Sequence, residues 1–359
     1  MSVEVAEKTG STPARRTRAG RELIYRHPLF IRLSHWLTVL CIAILLMSGL
    51  QIFNAHASLY WGNTGNEGDP AIFSIFAEEQ LEGPPIGWLQ IGSTTINTTG
   101  WLGVFNDYDG FPSGRAFPYW ITLPKSQNLA EGRRWHFFFA WLFVLNGLAY
   151  LLYGMIARHF KRDILPTRTD FKRVGRVILD HLTFKRARGE EAKRYNVIQK
   201  LTYIVVIFVL LPMMIITGLT MSPGMDAAAP WLPELFGGRQ SARTVHFISA
   251  SLIVLFVIIH VAEVFITGVL NEMRSMITGW FAVEPNWPAE IYVIYPLITF
   301  AILLALSRGM VVGPGYLDAP VLLGFAIFST IVGSVAAWLV NRSAAKAKER
   351  AAREKGTKP

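Results

Sequence analysis

Six stretches of this chain are long and apolar enough to cross a membrane as helices. They lie near residues 29–53, 135–157, 201–221, 245–270, 291–307 and 319–340, and each approaches the roughly 20 residues that span a hydrocarbon layer of about 30 Å. Across the 359 residues, 52% are hydrophobic and 17% charged, with a mean hydropathy of +0.33, which argues against a soluble enzyme. The formal charge of +10 does not point to nucleic acid, because the basic residues fall between and beyond the apolar stretches rather than on one face. The single cysteine, Cys41, lies inside the first stretch, which excludes disulfides, cysteine-ligated iron-sulfur clusters and thioether-attached haem within the chain.

Lys and Arg are distributed unevenly between the polar segments. Residues 1–32 carry seven, 158–200 thirteen and 341–359 seven, whereas 54–132 carry only Arg115 and Lys125 against eight acids, and 221–243 only Arg239 and Arg243. By the positive-inside rule both termini and the 158–200 segment face the cytoplasm. Six crossings agree with that, since an even number returns the chain to its starting side. The expected organisation is a cytoplasmic tail over 1–28, a core over 29–280 with an outer loop at 54–132 and a cytoplasmic loop at 158–200, two further spans within 281–341, and a basic tail over 342–359. Arg15-Arg16 before an apolar run and Ala55-His56-Ala57 after it raise a cleaved leader, but the run from Phe30 to Phe53 is longer than a leader core, and an uncleaved first span is the simpler reading. The outer loop, with Trp61, Trp88, Trp101 and Trp120, reads as a cap; its aromatics suit either partner docking or interfacial anchoring.

An ionisable side chain inside an apolar span is costly without a partner, which singles out His35, His136, His246 and His260. His246 and His260 are 14 residues apart on the fourth span, within about 40° of whole turns, so they share a face and are separated by about 21 Å along the axis. That is too far for one metal ion, but it suits two haems stacked across the membrane. His136 opens the second span at the depth of His246, and His35 opens the first on the side of His260, giving the pairs His136–His246 and His35–His260. Two imidazoles per iron leave no open coordination site, so the expected chemistry is electron transfer. His27, His56, His159 and His181 lie outside the spans and read as ordinary structural or surface residues.

These residues carry a family resemblance. Arg32-Leu33-Ser34-His35-Trp36, Trp135-His136, Tyr195-Asn196-Val197-Ile198-Gln199-Lys200, His246 with His260, and Ser275-Met276-Ile277-Thr278-Gly279 together resemble the bacterial cytochrome b561 and nickel-hydrogenase cytochrome b group, which includes formate dehydrogenase gamma and thiosulfate reductase cytochrome b subunits. The resemblance covers roughly residues 25–280. It implies an all-α membrane protein with a four-helix dihaem core, to which this chain adds two C-terminal transmembrane helices, in the bacterial inner membrane with a periplasmic loop at 54–132. It also implies two haem b groups and a cytoplasmic-side site for ubiquinone or menaquinone. Asn196 and Gln199 match the quinone motif, with Lys200 placed to stabilise negative charge; the alternative for this stretch is helix capping with Lys200 snorkelling. Glu263 reads either as a proton carrier for the quinone or as a solvated acid at a helix end. Arg133, Arg134 and Arg243 stand where guanidinium groups could pair with haem propionates or anchor the interface.

The function expected from this is electron transfer between the quinone pool and a periplasmic redox subunit, such as a molybdopterin-dependent oxidoreductase. A stand-alone quinol-oxidising cytochrome b561 is the rival within the same chemistry. A haem-free transporter or membrane anchor is the rival from another class, although no repeat halves of the transporter kind are evident.

Overall fold

The computed structural model describes residues 14–16, 22–66, 68–106, 110–182 and 195–283. All of these but 268–270 fall within one compact unit. The two spans expected after residue 290, and the basic tail, lie outside the described residues.

Four helical segments are long and apolar enough to cross a membrane. The first is α1 (Leu29–Asn54) and the second α2 (Leu129–Ile156). The third, 24 residues from Val197 to Thr220, consists of α5 (Val197–Val205), a π-helical turn over Val206–Leu210 and α6 (Leu211–Thr220). The fourth is α9 (Arg239–Thr267). The π turn stands just before Pro212, which has no N–H to continue the ladder and whose ring crowds the preceding turn. Outward faces carry exposed Leu33, Leu40, Phe138, Trp141, Leu145, Leu255 and Ile258, which is the surface a lipid phase covers. The protein is therefore a multi-pass membrane protein.

Small residues let the first two spans approach closely. Ser34, Cys41 and Ser48 recur every seven residues on α1 and are buried, with Cys41 packed on Phe139 and Phe143 of α2. Asn146 on α2 donates from Nδ2 to the Ser34 carbonyl at 3.1 Å and to Thr38 Oγ1 at 2.9 Å. The third span packs along α9.

At one end, here the loop end, the described residues between α1 and α2 form a β-rich cap, a departure from an all-helical chain. β3 (Ser58–Leu59), β4 (Phe73–Glu78), β5 (Ile86–Ile91) and β6 (Thr94–Asn97) form an antiparallel sheet in that order, and β7 (Val104–Asn106) pairs with β8 (Pro112–Gly114). The two-residue connection of β5 to β6 places Gly92 at φ +58°, the backbone such a hairpin turn requires. Phe53, Leu59, Ile75 and Ala116 make the cap's core, and Phe53 stacks on Phe247 of α9 at 4.7 Å between ring centres. Thr244 Oγ1 donates to the Tyr60 carbonyl at 2.7 Å, so the cap is fastened to the fourth span. Two short helices, α7 (Pro223–Ala228) and α8 (Trp231–Glu234), connect the third and fourth spans at this end.

At the opposite end, the tail end, α3 (Arg168–Lys172) and α4 (Val174–Leu182) follow α2. Beyond α9, α10 (Val269–Thr278) leads into β9 (Trp280–Ala282). β9 pairs with β2 (Glu22–Tyr25), which in turn pairs with β1 (Ala14–Arg16). Gly279 makes the turn at φ +86°, where a Cβ would collide with Tyr25 and the His27 carbonyl. Two of the sequence motifs meet here. Trp36 Nε1 donates to the Met276 carbonyl at 3.0 Å, and Arg32 donates to that of Ile277.

Candidate functional site

The four intramembrane histidines form two pairs. His136 on α2 and His246 on α9 have ring centres 6.4 Å apart, and His35 on α1 and His260 on α9 have ring centres 6.5 Å apart. Fourteen residues of α9 separate the pairs by about 21 Å. His136 lies two turns inside α2, which begins at Leu129 rather than near 135, and His246 lies two turns inside α9.

Two imidazoles sharing one metal between them have ring centres about 6.3 Å apart, from two metal–nitrogen bonds of roughly 2 Å and about 1.1 Å from each nitrogen to its ring centre. Both observed separations match that spacing. Among the described residues no group of three or more His, Cys, Asp or Glu is placed to hold a bare ion; haem brings its own macrocycle ligands and would take from the protein only the histidine nitrogens.

The loop-end pair is set in a specific protonation geometry. Ser48 on α1 donates its hydroxyl proton to the Ile44 carbonyl at 2.6 Å, which leaves its oxygen as an acceptor 3.0 Å from His136 Nδ1. Thr217 on α6 repeats the arrangement, donating to the Met213 carbonyl at 2.6 Å and accepting from His246 Nδ1 at 2.9 Å. With its proton on Nδ1 each ring satisfies these contacts and keeps a bare Nε2 lone pair for a metal. Beside each hydroxyl is a glycine: a Cβ at Gly49 would lie 3.3 Å from His136 Cε1, and one at Gly218 3.5 Å from His246 Cε1. In the tail-end pair, His35 Nδ1 is buried and has no hydrogen-bond partner among the described residues. The residues present fit two haems.

The family model for prokaryotic cytochrome b561 matches residues 26–279. The chain belongs to the prokaryotic cytochrome b561 family. A putative protein-methionine-sulfoxide reductase subunit YedZ1 of Azospira oryzae is 26% identical over 259 residues, which are 72% of this chain and 98% of that relative. No solved structure matches. Family membership makes the chain a membrane electron-transfer subunit of the haem b kind.

In this cytochrome the remaining candidates are placed as follows. Asn196 and Gln199 form a reciprocal cap on the third span: Asn196 Oδ1 accepts from the Gln199 N–H at 2.9 Å, and Gln199 Oε1 from the Asn196 N–H at 3.2 Å. The cap occupies both side-chain oxygens, so the amide NH2 groups are what each could offer a quinone carbonyl. Lys200 is buried and its Nζ pairs with Asp170 Oδ2 at 2.9 Å. Glu263 lies three residues beyond His260 and is partly buried. Arg243 donates to the carbonyls of Ser58, at 2.9 Å, and His56, which ties α9 to the cap. Arg133 lies over the Phe137 ring at 5.5 Å, and Arg134 is exposed.

Several residues carry no recognisable mark in the sequence. Arg115 in the cap is 7% exposed and donates at 3.0 Å to the carbonyls of Phe117 and Lys125, to Gln51 Oε1 and to Thr122 Oγ1. Its one clue is that it is a cation in an acid-rich loop. At the tail end His27 and His159 are buried rather than surface residues. Burial, then the Arg26 charge, pushes His27 down to about 3, so it is neutral at physiological pH. Burial raises the Asp163 carboxyl, but hydrogen bonds from His159, at 2.7 Å, and Arg162 outweigh it and hold the group at about 2. His181 belongs to α4.

Proposed function

We propose that this cytochrome holds two b haems, one between His35 and His260 and one between His136 and His246, and carries electrons between a quinone at the tail end and a redox protein docked on the β-rich cap. The paired ring separations of 6.5 and 6.4 Å carry this reading. Haem bound at each pair supplies reversible one-electron chemistry. The protein would supply the two ligating nitrogens at each pair and orient the loop-end rings through Ser48 and Thr217. Asn196 and Gln199 present amide donors at the tail end, and Lys200, in the same first turn of α5, pairs with Asp170 of α3. The distribution of Lys and Arg supports a tail end that faces the cytoplasm and a cap that faces the periplasm.

The relative's name supports a partner that reduces oxidised methionine, with electrons leaving the quinol at the tail end and exiting at the loop end. Mixing the purified oxidised protein anaerobically with a short-chain quinol tests this. Reduction of b-haem absorption bands on the seconds scale is expected, slowed in Asn196→Ala. Bands that dithionite reduces but quinol does not would overturn the quinone assignment.

A further inference from the structure

The two ends of the bundle are not built alike. At the loop end, two different helices each bring a hydroxyl residue followed by glycine against one histidine: Ser48-Gly49 against His136 and Thr217-Gly218 against His246. A Ser or Thr inside a helix commonly bonds the carbonyl four residues back, and both do so here at 2.6 Å. That bond consumes the only hydroxyl proton and turns the oxygen into a fixed acceptor aimed at Nδ1. The adjacent glycine removes the side chain that would otherwise fill the space along the Cε1 edge of the same ring. Both hydroxyl residues are fully buried, so water does not compete for these bonds. At the tail end His35 Nδ1 has no such acceptor among the described residues.

We infer that Ser48 and Thr217 are positioning residues that orient His136 and His246 and make the loop-end centre the more electron-rich of the two, while Gly49 and Gly218 keep the space beside those rings open for a macrocycle. An acceptor on Nδ1–H raises the basicity of the ligating nitrogen. A more basic ligand stabilises the oxidised metal, so the two hydroxyls lower the loop-end midpoint potential. The inference rests on the two-haem reading and adds to it a division of labour between the ends.

The test uses full-length protein in detergent, with haem b per chain, a potentiometric titration of the haem bands and low-temperature EPR of the oxidised form as readouts. His246→Ala first identifies which midpoint belongs to the loop end. Ser48→Ala and Thr217→Val are expected to shift that midpoint to more positive potential and to move its low-spin EPR signal, leaving the other centre unchanged. Ser48→Thr and Thr217→Ser, which keep the hydroxyl, are expected to match the wild type. If Ser48→Ala or Thr217→Val instead loses the loop-end haem while the hydroxyl-retaining variant keeps it, the positioning role stands. The inference is overturned if both midpoints and both signals stay put with haem retained, or if the hydroxyl-retaining variants change as much as the deletions. Wild-type protein without two haems overturns the haem assignment itself, and this inference with it.

Discussion

Removing the carboxylate of Asp170 should expose how much the tail end depends on one ion pair. Lys200 Nζ and Asp170 Oδ2 are 2.9 Å apart, with the lysine side chain 9% and the aspartate side chain 25% exposed. At an effective dielectric of about 20, opposite charges at that distance attract by about 6 kcal/mol. Desolvation of the lysine offsets several kcal/mol of this, and water on the aspartate side screens more. A net coupling of about 1–3 kcal/mol is what remains. Asp170→Asn leaves a buried ammonium without its anion and should cost about 2 kcal/mol, whereas Lys200→Met leaves only a partly solvated carboxylate and should cost less. The double variant Asp170→Asn/Lys200→Met should then be more stable than the sum of the two losses. Equilibrium unfolding in mixed detergent–SDS micelles, followed by circular dichroism, measures the four corners of this cycle. Losses that add within about 0.5 kcal/mol would refute the ion pair as a stabilising contact.

Gly49→Leu should weaken haem retention at the loop end. The new Cβ starts 3.3 Å from His136 Cε1, and overpacking of about 1–3 kcal/mol corresponds to roughly 5- to 150-fold weaker binding, read as haem per chain after a gel-filtration wash. Asn196→Ala should cost about 1 kcal/mol through the lost helix cap, seen in the same unfolding assay, together with slower quinol reduction. Asp163 has its folded pKa depressed from 3.8 to about 2, so it favours the folded state above pH 4 and loses that contribution as the pH falls toward 2. The contribution is on the order of 1–2 kcal/mol after screening, and Asp163→Asn should flatten the acid limb of the stability–pH curve.

The four described spans and the side-by-side histidines were readable in the sequence, the spans from the length of their apolar runs and the histidines from helical periodicity on α9 and their depth along the other helices. Twenty apolar residues cross a membrane, and 14 residues nearly complete four helical turns, so the neighbours His260 and His246 find in the fold could be anticipated. Ser48 and Thr217 were not readable, since a hydroxyl residue in an apolar helix looks ordinary until its histidine is known, and those lie 88 and 29 residues away. The cap's strands were obscured by their spacing: Phe73–Glu78 and Ile86–Ile91 are short, and Gly83, Pro84 and Pro85 interrupt the alternation between them. Arg115 reads as a loop cation because its burial depends on acceptors from α1 and from the chain beyond residue 116. The stretch from Tyr195 to Lys200 admitted both a quinone site and a helix cap, and the fold shows why: the residues that cap the helix with their oxygens still carry amide donors.

The central claim is that two histidine pairs hold two haems. A pyridine haemochromogen determination with a reduced-minus-oxidised spectrum on the purified protein tests it most directly, in the wild type and in His246→Ala. The account predicts two haem b per polypeptide in the first and one in the second. A wild-type protein with one haem or none, or a His246→Ala variant that keeps both, would contradict it.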